Sequence, residues 1–246
     1  MEPVAVKVEY STFPNASPTG EEPEGIEEFC RELQESYVAL VRGTSGVCGG
    51  GLYDFVITIT SNITLRDVVN LMLGGVAYDV IKSGARSFVL RPLLTAFAKL
   101  RSANTKWDLE IDELRLSLQE TDIVIKQIGT HPLSVDLKMI LETIAKNFEF
   151  MKGRGKEVPY VIHIPVFEDS NPHFCRFRSL LDVDETIQGV TQHAYAQYWG
   201  VRYNLSGQIR VFDVERRLII EEEYMTQSEY WQAWQREWDK EQLKKS

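Results

Sequence analysis

The side chains best suited to bind a metal or to act as nucleophiles lie between residues 163 and 193. They are His163, Asp169, His173, Cys175, Asp182, Asp184, Glu185 and His193. Because imidazole nitrogens and thiolates are common zinc ligands, we consider His163, His173 and Cys175 as candidate metal ligands. Their spacing matches no zinc motif, and His163 lies between two isoleucines of a predicted strand. We therefore expect no metal site, and the alternative is a metal site formed by these three residues.

Two other chemistries use the same stretch. A histidine base could activate Cys175 as a nucleophile, and Asp182, Asp184 and Glu185 could hold magnesium. The acidic group lacks a second acidic cluster on another strand, so helix capping by Asp184 explains it better. The chain has no phosphate-binding loop with its lysine, no dinucleotide fingerprint, no nucleophile elbow and no His-Glu-x-x-His sequence. We expect no cofactor, and each missing motif lowers the expectation of an enzyme.

Three tryptophans recur at helical spacing near the C-terminus. Trp231, Trp234 and Trp238 form one stripe of a predicted helix over residues 227 to 244. The stripe could dock on its own domain, or it could bind a protein partner or a second copy, because tryptophans dominate interface energies. The polar side of the helix is more acidic than basic, so we do not expect it to bind a membrane.

One basic stretch stands out in an otherwise acidic chain. Between Lys82 and Lys106 there are six lysines and arginines and no acidic residue. Four of the six are candidate interaction residues: Arg86, Arg91, Lys99 and Arg101. They could pair with the acidic helix predicted over residues 26 to 42, or they could bind an anionic ligand or partner.

Composition narrows the class of protein. The net charge of -9 argues against nucleic-acid binding, which requires an excess of lysine and arginine. With 43% hydrophobic and 26% charged residues, the chain resembles ordinary soluble globular proteins. Three widely spaced cysteines without a CxxC pair do not indicate a disulfide framework, and the first residues do not resemble a secretory signal. We therefore expect a cytoplasmic protein.

The most apolar segment is a helix predicted over residues 64 to 82. Thr64 and Asp67 have the spacing of a capping box, which marks its start. Apolar residues cover most of its circumference, so we expect it to be buried on all sides. Charged residues interrupt it well short of the roughly 20 apolar residues that a membrane span requires. A strand predicted over residues 52 to 60 precedes this helix.

The remaining patterns predict an α+β fold. Residues 1 to 151 are predicted to form a layer of mixed strands and helices, with a hairpin formed by residues 114 to 118 and 123 to 128. Residues 157 to 246 read as an antiparallel meander closed by the terminal amphipathic helix. The meander strands are predicted at residues 195 to 203, 208 to 215 and 218 to 223. Glycines at 153 and 155 mark the boundary between the halves, although the two could form one continuous domain.

These observations favour a non-enzymatic interaction or regulatory protein that acts as a component of a multi-protein system. Its expected working surfaces are the basic stretch and the tryptophan helix. One alternative is a metal-dependent hydrolase, similar to a nuclease or phosphodiesterase, that uses the second half of the chain. Another is a sensor of a small anionic ligand.

Overall fold

A computed structural model describes most of the chain. The described residues are 4–12, 22–45, 53–73, 81–83, 86–88, 90–104, 109–128, 133–153, 155–164, 178–183, 207–214, 216–224 and 227–245. The strands are β1 (Ala5–Thr12), β2 (Val38–Ser45), β3 (Tyr53–Thr60), β4 (Ile81–Ser83), β5 (Arg86–Phe88), β6 (Leu109–Ser117), β7 (Asp122–Ile128), β8 (Val161–Ile164), β9 (Arg178–Leu181), β10 (Gly207–Asp213) and β11 (Leu218–Tyr224). The helices are α1 (Ile26–Ser36), α2 (Leu65–Leu73), α3 (Arg91–Ala103), α4 (Leu133–Met151) and α5 (Gln227–Lys245).

Nine strands form one mixed sheet in the order β11-β10-β9-β8-β7-β6-β3-β1-β2. The pairs β1/β2, β3/β6 and β7/β8 are parallel, and the other neighbours are antiparallel. β4 and β5 form a separate short hairpin. The α+β class is therefore confirmed. The sheet runs through the boundary expected near residues 152 to 156, since β7 pairs directly with β8.

One face of the sheet, here called the first face, packs against the helices. Alternate residues along each strand point to the same face, and those on the first face join the buried side chains of α1 to α4 in one continuous hydrophobic core. The strand residues in this core include Val6, Val8, Phe55, Ile57, Ile59, Leu114, Leu116, Ile123, Ile125, Ile162, Leu181 and Phe212. At the β1–β3 side, Phe55 stacks with Tyr10 and meets Phe97 of α3 edge to face.

The opposite, second face changes character across the sheet. Paired positions form one row that crosses every strand: Leu40, Lys7, Thr58, Arg115, Val124, His163, Leu180, Val211 and Ile220. Leu40 and Lys7 are exposed, Thr58 and Arg115 are half-buried, and the next four side chains are buried. Burial on the second face is therefore concentrated from β7 to β10.

The helix predicted over residues 64 to 82 is shorter than expected. α2 covers Leu65–Leu73, residues 74–80 lie outside the described residues, and Ile81 to Ser83 form β4 instead of helix. The capping box is confirmed: the Asp67 N–H donates to Thr64 Oγ1 at 3.1 Å, and the Thr64 N–H donates to Asp67 Oδ2 at 2.9 Å. Only Leu65, Val68 and Val69 are buried, whereas Leu73 is 61% exposed. The expectation of a helix buried on all sides is wrong, because α2 turns only one side to the core.

The acidic helix predicted over residues 26 to 42 also ends early. α1 stops at Ser36, and residues 38 to 45 form β2, parallel to β1 along its whole length. Gly43 lies opposite Tyr10, and a Cβ at Gly43 would lie 2.8 Å from the Tyr10 ring. Apolar residues 37 to 41 fit a helix or a strand by their local pattern. Pairing with β1, more than 30 residues away, selects the strand.

The C-terminal elements are largely as predicted. β10 and β11 form the expected antiparallel pair, and α5 covers the expected helix. The first predicted meander strand, residues 195 to 203, lies outside the described residues. β9, which no pattern indicated, takes the third place by pairing antiparallel with β10. Within the described residues, no helix has the length and apolar character needed to cross a membrane.

Candidate interaction surface

The three tryptophans of α5 form a continuous aromatic surface, here called the tryptophan stripe. The ring centroids of Trp231 and Trp234 are 5.7 Å apart in an edge-to-face arrangement, and those of Trp234 and Trp238 are 5.6 Å apart and stacked. The three side chains are 40%, 43% and 48% exposed in sequence order. The stripe is therefore not buried inside the protein, as it would be if it docked fully on its own domain.

Polar and acidic residues border the stripe. At 3.6 residues per turn, Glu237 and Glu241 lie along one side of it, and Gln235 and Asp239 lie along the other. The Gln235 Nε2 donates to Asp239 Oδ1 at 2.9 Å. The described side chains of α5 from 231 to 244 are exposed, except for the half-buried Ala233. The tryptophans are thus the main apolar area of a helix that is otherwise polar.

An aromatic surface of this kind is suited to recognition rather than to catalysis. Each tryptophan can bury a large apolar area against a partner while losing little conformational freedom. Anchors at i, i+3 and i+7 lie on one side of a helix, which is the arrangement by which helices bind in apolar grooves. The acidic border would favour a groove with a basic rim.

The basic stretch is partly neutralised within the chain. The Lys99 Nζ lies 2.5 Å from Glu32 Oε1, so α3 and α1 are joined by an ion pair on the surface. The hydrogen bond that Lys99 donates to Glu32 raises the pKa of Lys99, and the charges of Glu28 and Glu35 add to this effect. Arg91 and Arg101 also take part in interactions. Arg86 lies on β5, and its side chain is outside the described residues.

The candidate metal ligands are only partly within the described residues. His163 is 3% exposed on the second face, where its strand neighbours are Val124 and Leu180. His173 and Cys175 lie outside the described residues, as do Asp184, Glu185 and His193. Within the part of the chain that the structure describes, no three histidine, cysteine or acidic side chains are grouped as metal ligands.

Asp182 connects strands instead of joining an acidic cluster. Its backbone has a φ of 58°, a left-handed conformation that aspartate tolerates better than most residues. Its Oδ1 accepts a hydrogen bond from the Tyr160 N–H at 2.8 Å, and its Oδ2 pairs with Arg210 on β10. The carboxylate therefore ties the start of β8 to β10.

Sequence reasoning missed one exposed feature at the other end of the sheet. β2 is an edge strand, and its side chains Val38 and Leu40 are 58% and 44% exposed. The alternation of Val38, Leu40 and Arg42 was the available signal, but the apolar spacing also fitted a helix. No protein-family model, curated protein or solved structure matched the chain.

Proposed function

We propose that this protein is a non-enzymatic interaction protein that binds a protein partner through the tryptophan stripe of α5, as a regulatory component of a multi-protein assembly. The observation that carries the proposal is the exposure of three adjoining tryptophans, between 40% and 48%, on one side of a terminal helix. Contiguous exposed apolar areas on soluble proteins commonly mark binding sites.

The energetics support a partner for this surface. When a partner covers a half-exposed tryptophan, the binding free energy becomes more favourable by about 25 cal/mol for each Å² of apolar surface removed from water. Tryptophan is also among the residues that most often cost 2 kcal/mol or more when they are removed from an interface. The border of Glu237, Glu241 and Asp239 would repel an acidic partner surface and a nucleic acid, so the partner we propose is a protein with a basic-rimmed apolar groove.

The test compares the full chain with a variant in which Trp231, Trp234 and Trp238 are all changed to alanine. Both are tagged and used for pull-down with quantitative mass spectrometry, and any protein recovered by the wild type is then purified and titrated directly. We expect the triple variant to bind it at least about 30-fold more weakly, since 1.4 kcal/mol corresponds to tenfold.

The matched control is Leu243→Ala, which removes an apolar side chain that is 76% exposed on another side of the same helix. This variant should bind like the wild type, and circular dichroism should show that all three proteins are equally folded. The proposal is wrong if the triple variant keeps the wild-type affinity, or if Leu243→Ala weakens binding as much as the triple variant does.

A further inference from the structure

The outer edge of β2 has hydrogen-bonding groups directed away from the sheet. The Val38 N–H donates to the Val4 carbonyl at 3.1 Å. In a parallel ladder, alternate residues direct both backbone groups to the same neighbour. Val38, Leu40 and Arg42 therefore bond to β1, while Ala39 and Val41 direct their N–H and C=O groups outward. No described strand pairs with that side of β2.

The other end of the sheet is protected against pairing. The edge strand β11 carries Glu221, Glu222 and Glu223 in succession, so both of its faces bear negative charge. Charged residues on edge strands are a common means of preventing contact with another sheet. β2 has a single charged side chain, Arg42, together with the exposed Val38 and Leu40. Of the two edges, β2 is the one suited to accept another strand.

We propose that β2 pairs antiparallel with β2 of a second copy of this chain, about a two-fold axis at Leu40. In this register the outward-facing Ala39 of each copy lies opposite Val41 of the other, and each of these pairs exchanges both hydrogen bonds. Leu40 meets Leu40 on the second face, and Val38 packs against the aliphatic stem of Arg42. The strand is therefore self-complementary, as a two-fold interface requires.

Charge permits a second copy at this edge, although the chain is acidic. The two-fold axis places the α1 helices of both copies side by side on the first face. Glu28, Glu32 and Glu35 act on Lys99, so they lie toward α3 and away from the second copy. The side of α1 away from α3 presents Glu27 and Gln34, with Arg31 nearby. Among the described residues, the acidic groups near this edge are Glu22 and Glu27, and they are accompanied by Arg31 and Arg42, whereas a β11 pair would oppose two sets of glutamates.

The contact is small. A five-residue strand overlap with adjoining helices buries less than the roughly 800 Å² per partner that is typical of stable interfaces. We therefore expect a reversible dimer with a dissociation constant on the order of micromolar or weaker. Sedimentation velocity on the full chain, over a range of concentrations, should show a monomer–dimer equilibrium. A wild-type chain that remains monomeric at the highest concentration would overturn the proposal.

Two variants test the register. Ala39→Pro removes an outward N–H without removing a hydrogen bond to β1, a position at which edge strands tolerate proline. Leu40→Lys places two ammonium groups at the axis. We expect each to raise the dissociation constant by about tenfold or more. Leu40→Lys retains every backbone bond, so it decides the question if Ala39→Pro proves poorly folded.

Leu218→Lys is the matched control, because Leu218 is an aliphatic residue on β11 that is 42% exposed. It should leave the dimer unchanged, and so should the triple tryptophan variant, since the proposed dimer does not use α5. A dimer that survives Leu40→Lys but is lost in the triple tryptophan variant would place the contact at the tryptophan stripe instead. This result would refute the β2 proposal without affecting partner binding by α5.

Discussion

The two ends of the nine-stranded sheet differ in which side chains they bury and which they expose. At the β2 end, the interior is held by buried polar contacts between distant segments, while the outer strand presents aliphatic side chains. At the β11 end, the outer strand is acidic, and the following helix α5 exposes tryptophans rather than burying them. The two ends could therefore bind other proteins in different ways, through the backbone of β2 at one end and through the tryptophan side chains of α5 at the other.

At the β2 end of the sheet, two buried polar side chains make hydrogen bonds to backbone groups of distant segments. Asn104, at the end of α3, accepts from the Glu24 N–H at 2.9 Å and donates to the Glu24 and Leu100 carbonyls at 2.8 and 2.7 Å. The Tyr37 hydroxyl accepts from the Leu93 N–H at 3.2 Å. This bond satisfies a first-turn N–H of α3, whose N-cap residue Leu90 has no side-chain cap.

The largest effect should come from Asn104→Ala. This change removes three hydrogen bonds at a site that is 7% exposed and leaves backbone groups of Glu24 without their partner. We expect the free energy of unfolding to fall by about 2 to 3 kcal/mol, measured by urea denaturation. Gln235→Ala in α5 is the amide control, because its bond to Asp239 is exposed, and it should cost less than about 0.5 kcal/mol. Equal losses in the two variants would contradict the contrast between the ends.

A smaller effect is expected for Tyr37→Phe. The Leu93 N–H loses its acceptor inside the protein, so unfolding should become easier by about 1 kcal/mol at neutral pH. Tyr160→Phe is the control, because the Tyr160 hydroxyl donates to the Asp182 carbonyl at an exposed site and should matter less. A Tyr160→Phe loss as large as that of Tyr37→Phe would show that burial does not decide the difference.

Tyr37 also predicts a dependence on pH. Burial raises the pKa of Tyr37 from its ordinary value of 10.0 to about 12, although the hydrogen bond from Leu93 acts in the opposite direction. The unfolded chain therefore loses this proton at lower pH than the folded protein does. The stability due to the neutral phenol is fully present below pH 10 and is lost as the pH rises toward 12. In urea titrations across this range, Tyr37→Phe should lose less stability than the wild type.

The smallest effect on stability is expected when two of the three glutamates of β11 are replaced. Glu221→Thr combined with Glu223→Thr should change the free energy of unfolding by less than about 0.5 kcal/mol, because both side chains are exposed. With the negative charge removed from one face of β11 and only Glu222 left on the other, dimers joined at β2 should begin to link into longer sheets. Light scattering should then report masses above the dimer. If the double variant behaves like the wild type, Glu221 and Glu223 are not what protects this edge.

Local sequence patterns identified several elements but not all of their boundaries. The Thr64 and Asp67 capping box, the β6–β7 hairpin and α5 follow from short-range rules of capping, alternation and helical spacing. The end of α1 and the existence of β2 do not, because residues 37 to 41 suit either structure until β1 lies beside them. β9 has only four residues, too few for a periodic pattern, and its pairing with β8 and β10 defines it.

The same distinction applies to the surfaces. The spacing of Trp231, Trp234 and Trp238 along one side of a helix follows from the amino-acid sequence alone, because helical periodicity is a local property. It takes the folded chain to show that these side chains stay half exposed, that Lys99 pairs with Glu32, and that Val38 and Leu40 lie on an edge strand. Exposure and pairing depend on which distant segments fold against a residue, and that information is not contained in its neighbours along the chain.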